Sequence, residues 1–406
     1  MTVRSVLGAI YRTLGSLKLS VAILIGWFAA TYLGTWAQID IGLFRAQRIY
    51  FESIYYTLPR EPYFGWLGVP MPGGYLLMAL LVVNLLIGGI IRLRKTWSRA
   101  GILIMHFGVV FLMLAGWAKF AFSQEGYVSF YPNESRGVYT SYHDFELSIA
   151  EVGPEGATRE WVVPDVELAH AAGENTVTVH VVGLPFEVRL SGFVRNANVM
   201  PKGPMFSAPT PVVDGYFVQP EDASTEAEMD MAACYATVLP VGDAPQKGIL
   251  WAGAMDFRTE ERKPWTVHVA GRTFLLDLAK RRWPLDFDVE LKQFTFERLP
   301  NSMKPKRFQS DVVVRAPGQP DLPAMIRMNE PLRRNGVTLY QSSYGPKNAQ
   351  PGSRMFSVLS VVKNPSDQWP LWSLVVMTLG MAIHFLAKLA RWIARETAAT
   401  KPAEAR

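Results

Sequence analysis

The chain has 406 residues, 49% of them hydrophobic, and a net charge of +6. The charge is modest and sits largely beside apolar runs, with no basic stripe interleaved with aromatics, which argues against nucleic acid as a partner. A single cysteine, Cys234, excludes an internal disulfide, a C-x-x-C redox pair and a cysteine-based zinc site.

Apolar residues pile up near 19–36, 74–93, 100–122 and 369–390. Each run is about the 20 residues needed to cross a bilayer core of roughly 30 Å. The predicted fold class is an integral membrane protein: four transmembrane helices, three N-terminal and one C-terminal, plus a large antiparallel β-rich outer domain. The predicted boundaries are a membrane region 1–122, an outer (periplasmic) domain 123–368, a fourth helix 369–392 and a tail 393–406. Within the membrane region the spans lie at about 17–37, 74–93 and 100–122, with an interfacial segment over 38–73.

Basic residues favour the cytoplasmic side, most clearly in short loops. Arg4, Arg12 and Lys18 precede the first span, Arg92, Arg94, Lys95 and Arg99 follow the second, and Lys388, Arg391, Arg395 and Lys401 follow the fourth. If every span crosses once, these regions share one side, both termini are cytoplasmic and the large domain faces outward. Trp36, Trp117, Trp369 and Trp372 then mark the outer interface, Trp97 and Trp392 the inner. The first span reads as a retained anchor. Its apolar stretch exceeds a signal core, and Gly34-Thr35-Trp36-Ala37-Gln38 offers no small-x-small cleavage site. The segment after it, rich in aromatics (Tyr55, Tyr56, Tyr63, Phe64, Trp66), reads as interfacial, with a short amphipathic helix around Leu43–Tyr56.

The third span carries His106, an ionisable group inside an apolar run and therefore a functional candidate by default. Beyond it, from Gly126 to Asn364, apolar residues mostly alternate. Thr176–Val182, Phe186–Leu190 and Phe287–Leu291 are period-two strands, punctuated by Pro and Gly, which predicts a sandwich-like antiparallel domain. Ala223–Val238 reads as a helix capped by Ser224 or Thr225. Thr178-Val179-His180-Val181 ahead of Phe186-x-Val188-x-Leu190 is echoed by Thr266-Val267-His268-Val269 ahead of Phe287-x-Val289-x-Leu291. That echo is either a duplicated β unit or a coincidence of amphipathic strands. Asn335-Gly336 between two strand-like runs predicts a hairpin.

Four segments, in order and spacing, carry a family resemblance: Ser16–Leu24 leading to Leu33-Gly34-Thr35; His106-Phe107-Gly108 with Ala115-Gly116; Pro284-Leu285-Asp286-Phe287 onward to Phe308–Val312; and Met328–Gly345. They resemble the ResB family, also called CcsB, the membrane-anchored component of System II cytochrome c biogenesis. The resemblance implies export of haem b across the bacterial inner membrane and its presentation to apocytochrome c. It also implies a polytopic partner of the CcsA (ResC) type that carries a tryptophan-rich haem motif, and a separate thioredoxin-like thiol reductant. Trp369-Pro370-Leu371-Trp372 is not that motif and reads as interfacial.

Neutral imidazole is a good axial ligand for haem iron. His106 lies six residues, about 9 Å, inside the basic loop, and Gly101 and Gly108 would admit a neighbouring helix or a porphyrin. The alternative is a hydrogen bond between spans, for instance to Asn84. The resemblance favours ligation. His384, four residues before Lys388, is expected at a similar depth and is a second candidate ligand; the other reading is an interfacial histidine. His180 and His268 read as solvated strand positions, and His143 and His170 as polar loop positions without a role. Asn329, Glu330, Arg333 and Gln341 could hydrogen-bond an extended peptide or a haem propionate, as a docking surface laid over a hairpin.

No self-contained catalytic site is visible: Gly-x-Ser-x-Gly, His-Glu-x-x-His and a Gly-rich phosphate loop are absent. The competing function is a non-enzymatic membrane-anchored scaffold or accessory subunit of a respiratory complex.

Overall fold

The computed structural model describes residues 3–57, 68–153, 156–203, 208–254, 262–300, 305–346 and 354–399. Tyr63, Phe64, Trp66 and Lys401 lie outside the described residues. The chain forms two compact units, Met1–Ser123 with Asn364–Arg406, and Gln124–Lys363.

In the first unit four helices are long and apolar enough to cross a membrane: Leu17–Ile41, Gly74–Ile91, Trp97–Phe122 and Trp369–Thr397. Ahead of them runs a separate helix, α1 (Val3–Leu14), whose apolar residues Val3, Val6, Leu7 and Ile10 share one face. The sequence reading did not isolate it from the first span. The chain breaks at Gly15, and Ser16 caps α2 (Leu17–Ile41), its hydroxyl accepting from the Leu19 amide at 3.3 Å. The expected amphipathic helix is α3 (Leu43–Tyr50). It ends short of Tyr56 because β1 (Tyr55–Thr57) turns to pair with β2 (Pro70–Pro72). The buried Ala46, Tyr50 and Tyr56 join Ile23, Ala30 and Leu77 in one apolar cluster. The second span is α4 (Gly74–Asn84) continued by a π-helical stretch, Leu85–Ile91. A short 3-10 turn, Trp97–Arg99, opens the third span, α5 (Ala100–Phe122).

The fourth span, α7 (Trp369–Ala399), runs past 392 and packs antiparallel on α5 along small residues seven apart on each side. Ser366 Oγ donates to the Ala115 carbonyl at 2.9 Å, Ser373 Oγ to the Gly108 carbonyl at 2.8 Å, and Gly380 faces Gly101. Seven-residue spacing keeps a seam on one side of a helix, and small residues let two backbones approach in the absence of a hydrophobic drive in lipid.

In the second unit every pair of named strands is antiparallel, with one isolated parallel bridge between Ala172 and Phe193. One ten-stranded sheet contains β3 (Gln124–Phe130), β4 (Ser135–Gly153), β5 (Gly156–Pro164), β12 (Trp265–Val269), β13 (Arg272–Arg298), β14 (Pro305–Arg315), β15 (Leu322–Arg327), β16 (Leu332–Arg334), β17 (Val337–Gly345) and β18 (Phe356–Lys363). Its path is β15-β14-β13-β4-β3-β18-β17-β16, with β12 and β5 laid on β13 and β4. A four-stranded sheet runs β11 (Gln246–Trp251), β10 (Ala233–Pro240), β7 (Phe186–Val194), β6 (Thr176–Val179). A ribbon of β8 (Ala197–Pro201) and β9 (Tyr216–Pro220) and a one-turn helix, α6 (Asp165–Ala169), complete the unit.

Two cores result. In the first, Phe145, Leu147, Ile149, Phe274 and Leu276 of the large sheet face Phe186, Val188, Leu190, Ala236 and Val238 of the small one. The second gathers Phe130, Tyr139, Phe287, Val289, Leu291, Val312, Leu339 and Leu359, with β15 lying against β17. The long strands β4 and β13 run through both. Their pairing breaks twice. Thr140 and Phe145 oppose Arg282 and Lys280, so residues 141–144 bulge out; and Val138 and Arg136 oppose Pro284 and Val289, so residues 285–288 do. Pro284 has no N–H to donate, and such residues settle at bulges.

Two sequence expectations fail here. Ala223–Val238 is not a helix. A 3-10 turn, Ala227–Met229, leads into β10, because Ala232, Ala233 and Ala236 fill tight places in fully buried layers and packing overrides helix propensity. The apparent repeat is not a duplicated unit. β6 pairs with the Phe186–Leu190 strand itself, whereas β12 pairs with Arg272–Leu276, and Phe287–Leu291 belongs to the other core. The Asn335-Gly336 hairpin is present, both residues having positive φ (49° and 75°) between β16 and β17.

Candidate functional site

His106 sits in the second turn of α5, and its ring lies on the backbone of the π-helical stretch. A Cβ at Gly89 would come within 2.9 Å of His106 Cδ2, so the ring occupies the place of a side chain that Gly89 lacks. π-helical stretches recur at functional sites because the extra residue re-aims one turn of helix. His106 Nδ1 is buried and has no hydrogen-bond partner among the described residues. The suggested partner, Asn84, is engaged elsewhere. Its Oδ1 accepts from Ser20 Oγ at 2.6 Å and its Nδ2 donates to the Leu14 and Ser16 carbonyls at 2.7 and 3.1 Å, which ties α4 to the start of α2. The imidazole is therefore held sterically rather than by a bond, and the residue remains part-exposed. Burial closes Nδ1 to an incoming group, so Nε2 is the ring nitrogen that could take a ligand, of which a haem iron is one.

Gly101 and Gly108 admit a helix, α7. A Cβ on Gly101 would lie 2.5 Å from both the Gly380 carbonyl oxygen and the His384 backbone nitrogen, and one on Gly108 would lie 2.5 Å from Met377 Cγ. His384 is thus level with Gly101, five residues before His106. That offsets the two backbone positions by about 7 Å along the axis, and because each side chain leans toward the N-terminus of its own helix in this antiparallel pair, each ring leans toward the level of the other. His384 Nδ1 is also buried without a partner, and its ring packs edge-on to Phe385 at 5.7 Å.

The second unit holds a buried titratable group that the sequence reading passed over. Lys280 projects beneath the 141–144 bulge, donates to the Tyr142 carbonyl at 3.0 Å and lies 4.2 Å from the Phe145 ring centroid. Ser141 Oγ holds the same bulge by accepting from the His143 and Asp144 amides at 3.3 and 3.0 Å. His143 is thus a strand-bulge residue, not a loop one. Burial pushes Lys280 down to about 8 and lowers His143, while Asp230, Glu228 and Asp144 act to raise Lys280 and Arg195 to lower it. The signal in the sequence was Ala279-Lys280-Arg281 inside an otherwise alternating strand. The sign of the pH effect follows. From about pH 8 up to the ordinary lysine range the unfolded chain keeps a proton that the folded chain has lost, so stability rises with pH. We expect the unfolding midpoint of the full chain in detergent to rise between pH 7.5 and 9, by the equivalent of about 1 kcal/mol after allowance for partial exposure. In Lys280→Met that rise should vanish; a rise that persists would place its origin elsewhere.

The other histidines are peripheral. His180 Nδ1 meets Glu187 at 3.1 Å on an exposed strand, His268 Nδ1 meets Thr273 Oγ1 at 3.1 Å, and His170 is exposed at the end of α6. Cys234 is fully buried, and burial pushes its thiol up to about 12. Among the described residues no cluster of three or more His, Cys, Asp or Glu could hold a metal ion.

The hairpin segment carries the remaining candidates. Asn329 has positive φ (64°) in the turn after β15, where Arg327 closes a two-bond ion pair on Glu330 at 2.6 and 2.7 Å. Gln341 faces inward, where Ser310 Oγ donates to its Oε1 at 2.7 Å and its Nε2 donates to Ser357 Oγ at 3.1 Å. Arg333 reaches Thr338 Oγ1 at 3.3 Å. Residues 248–354 match the model of the ResB-like family. No curated protein matches the chain. The matched segment spans β11 to β17 and contains Pro284–Phe287 onward to Phe308–Val312 and Met328–Gly345, two of the four segments on which the resemblance rested. Within it Glu330 and Gln341 bind their own chain, which gives them structural work. His106 and His384 lie outside it.

Proposed function

We propose that this chain is the ResB-type membrane component of System II cytochrome c maturation. In this reading it lies in the bacterial inner membrane, with its β unit on the periplasmic side and both termini in the cytoplasm. Haem b is its cargo, and His106 supplies one axial nitrogen. The observation that carries the reading is a histidine of an apolar helix seated on Gly89, whose Nδ1 is buried and has no partner among the described residues, which leaves Nε2 as the nitrogen for a ligand. An ionisable group held at such a depth without a hydrogen bond has a cost that a ligand would offset. The ResB-like segment and the four apolar helices support the same reading. What the chain's own residues do is fix the ring against the backbone at Gly89. A CcsA-type polytopic partner completes the haem site, apocytochrome c accepts the haem, and a thioredoxin-like protein keeps the acceptor thiols reduced. His384 is a second candidate imidazole in this scheme. Asn329 and Arg333 remain a docking surface for the acceptor peptide in this scheme.

The test is the visible absorption of the protein purified with its polytopic partner. His106→Ala should insert and co-purify normally yet lose or shift the Soret band. A band indifferent to that substitution would assign the haem to the partner and leave this chain as a scaffold.

A further inference from the structure

The loop between the second and third spans carries a cavity of about 250 Å³ lined by Arg94, Lys95, Thr96, Trp97, Arg99 and Ala100, with Leu103 at its apolar edge. Its three cations have no carboxylate partner among the described residues, and the sequence places no Asp or Glu between Glu61 and Glu125. The cavity opens at the start of the 23-residue helix α5, which has no acidic residue in its first turn and no side-chain cap. The dipole of that helix adds to the same positive field. Thr96 adds a hydroxyl donor, and Trp97 is 94% exposed.

We propose that this cavity binds the headgroup of an anionic phospholipid of the phosphatidylglycerol kind. The charge demands an anion, and the donor set suits a phosphodiester. The exposed indole settles which anion. A tryptophan at the end of a membrane span belongs at headgroup level, where its N–H meets phosphate and glycerol oxygens and its ring meets the first methylenes. Leu103 continues that apolar edge up the span. A free phosphate would leave the indole and Leu103 with nothing to cover them. Basic pockets at the ends of membrane helices collect such lipids by this combination of charge and depth. The site is independent of haem and of the function proposed above.

The full chain in detergent is titrated with dioleoylphosphatidylglycerol or dioleoylphosphatidylcholine, and bound lipid is counted by native mass spectrometry. Wild type should retain phosphatidylglycerol in clear preference to phosphatidylcholine. Arg94→Gln/Lys95→Gln/Arg99→Gln should weaken phosphatidylglycerol binding about 100-fold. Lys306→Gln/Arg307→Gln, which removes charge from the β unit, should leave it unchanged. An unchanged melting midpoint shows that the triple variant is folded, since all three residues lie in an exposed loop or turn. Equal retention of the two lipids by wild type overturns the proposal, as does unaltered binding in the triple variant. Displacement of the lipid by millimolar inorganic phosphate would assign the cavity to a free anion and also overturn it.

Discussion

Gly101→Val should part α5 from α7, lowering the stability of the membrane unit by about 3 kcal/mol or more. The added Cβ would lie 2.5 Å from two backbone atoms of α7, the Gly380 carbonyl oxygen and the His384 nitrogen. Backbone atoms of a helix cannot rotate away as a side-chain tip can, so the effect falls at the upper end of the about 1–3 kcal/mol of ordinary overpacking. The loss spreads, because the Ser373 and Ser366 hydroxyls along the same seam lose their carbonyl acceptors as the helices separate. Gly116→Val is the control. Nothing lies within 4 Å of a Cβ there, and the small helix-propensity gain of replacing glycine is common to both variants. Thermal unfolding in detergent, followed by limited proteolysis of the membrane unit, separates the two. If Gly101→Val melts with Gly116→Val, the two helices do not meet at this seam.

Arg282→Met should cost about 2–4 kcal/mol, and most of that should return when Glu146 is neutralised. Glu146 is 2% exposed on β4, and Arg282 Nε of β13 donates to it at 2.8 Å while its other arm holds Glu160 on β5. Removing one partner of a buried pair strands a charge, typically a loss of about 3–5 kcal/mol, moderated here because water reaches the arginine side. Arg282→Met/Glu146→Gln removes the charge that made the single change costly. The measurement is the unfolding midpoint of wild type, both single variants and the double. An additive cycle would mean that the pair contributes nothing and that Arg282 matters only for its packing.

The elements legible in the sequence were those set by local chemistry. Apolar length gave the four spans, alternation gave the β unit, and Asn335-Gly336 gave its hairpin because few residue pairs accept two positive φ values. What was not legible depended on distant neighbours. The alanines of Ala223–Val238 favour a helix until a second sheet layer needs small side chains. Phe287-x-Val289-x-Leu291 matches Phe186-x-Val188-x-Leu190 residue for residue, yet the two fill different cores, since a period of two states that a face is buried and not against what. In the candidate site His106 was legible as a misplaced polar group, but its seat on Gly89 was not, because a Gly88-Gly89 pair does not name the ring that will cover it. The helix seam was within reach. Ser366, Ser373 and Gly380 share the seven-residue step of Gly101, Gly108 and Ala115, and that shared step was the missed sign that α7 pairs with α5.

The pairing of β3 with β18 joins strands about 230 residues apart in the chain. At a synthesis rate of about 5–20 residues per second, β3 leaves the ribosome roughly 10–50 s before its partner exists. Through that interval its backbone N–H and C=O groups on that side are an open template for any extended segment that arrives first. The correct partner comes last, only about six residues ahead of the fourth apolar helix. Closure of the β unit is therefore the final event of its synthesis, and the interval before it is when a holding chaperone would protect the chain most.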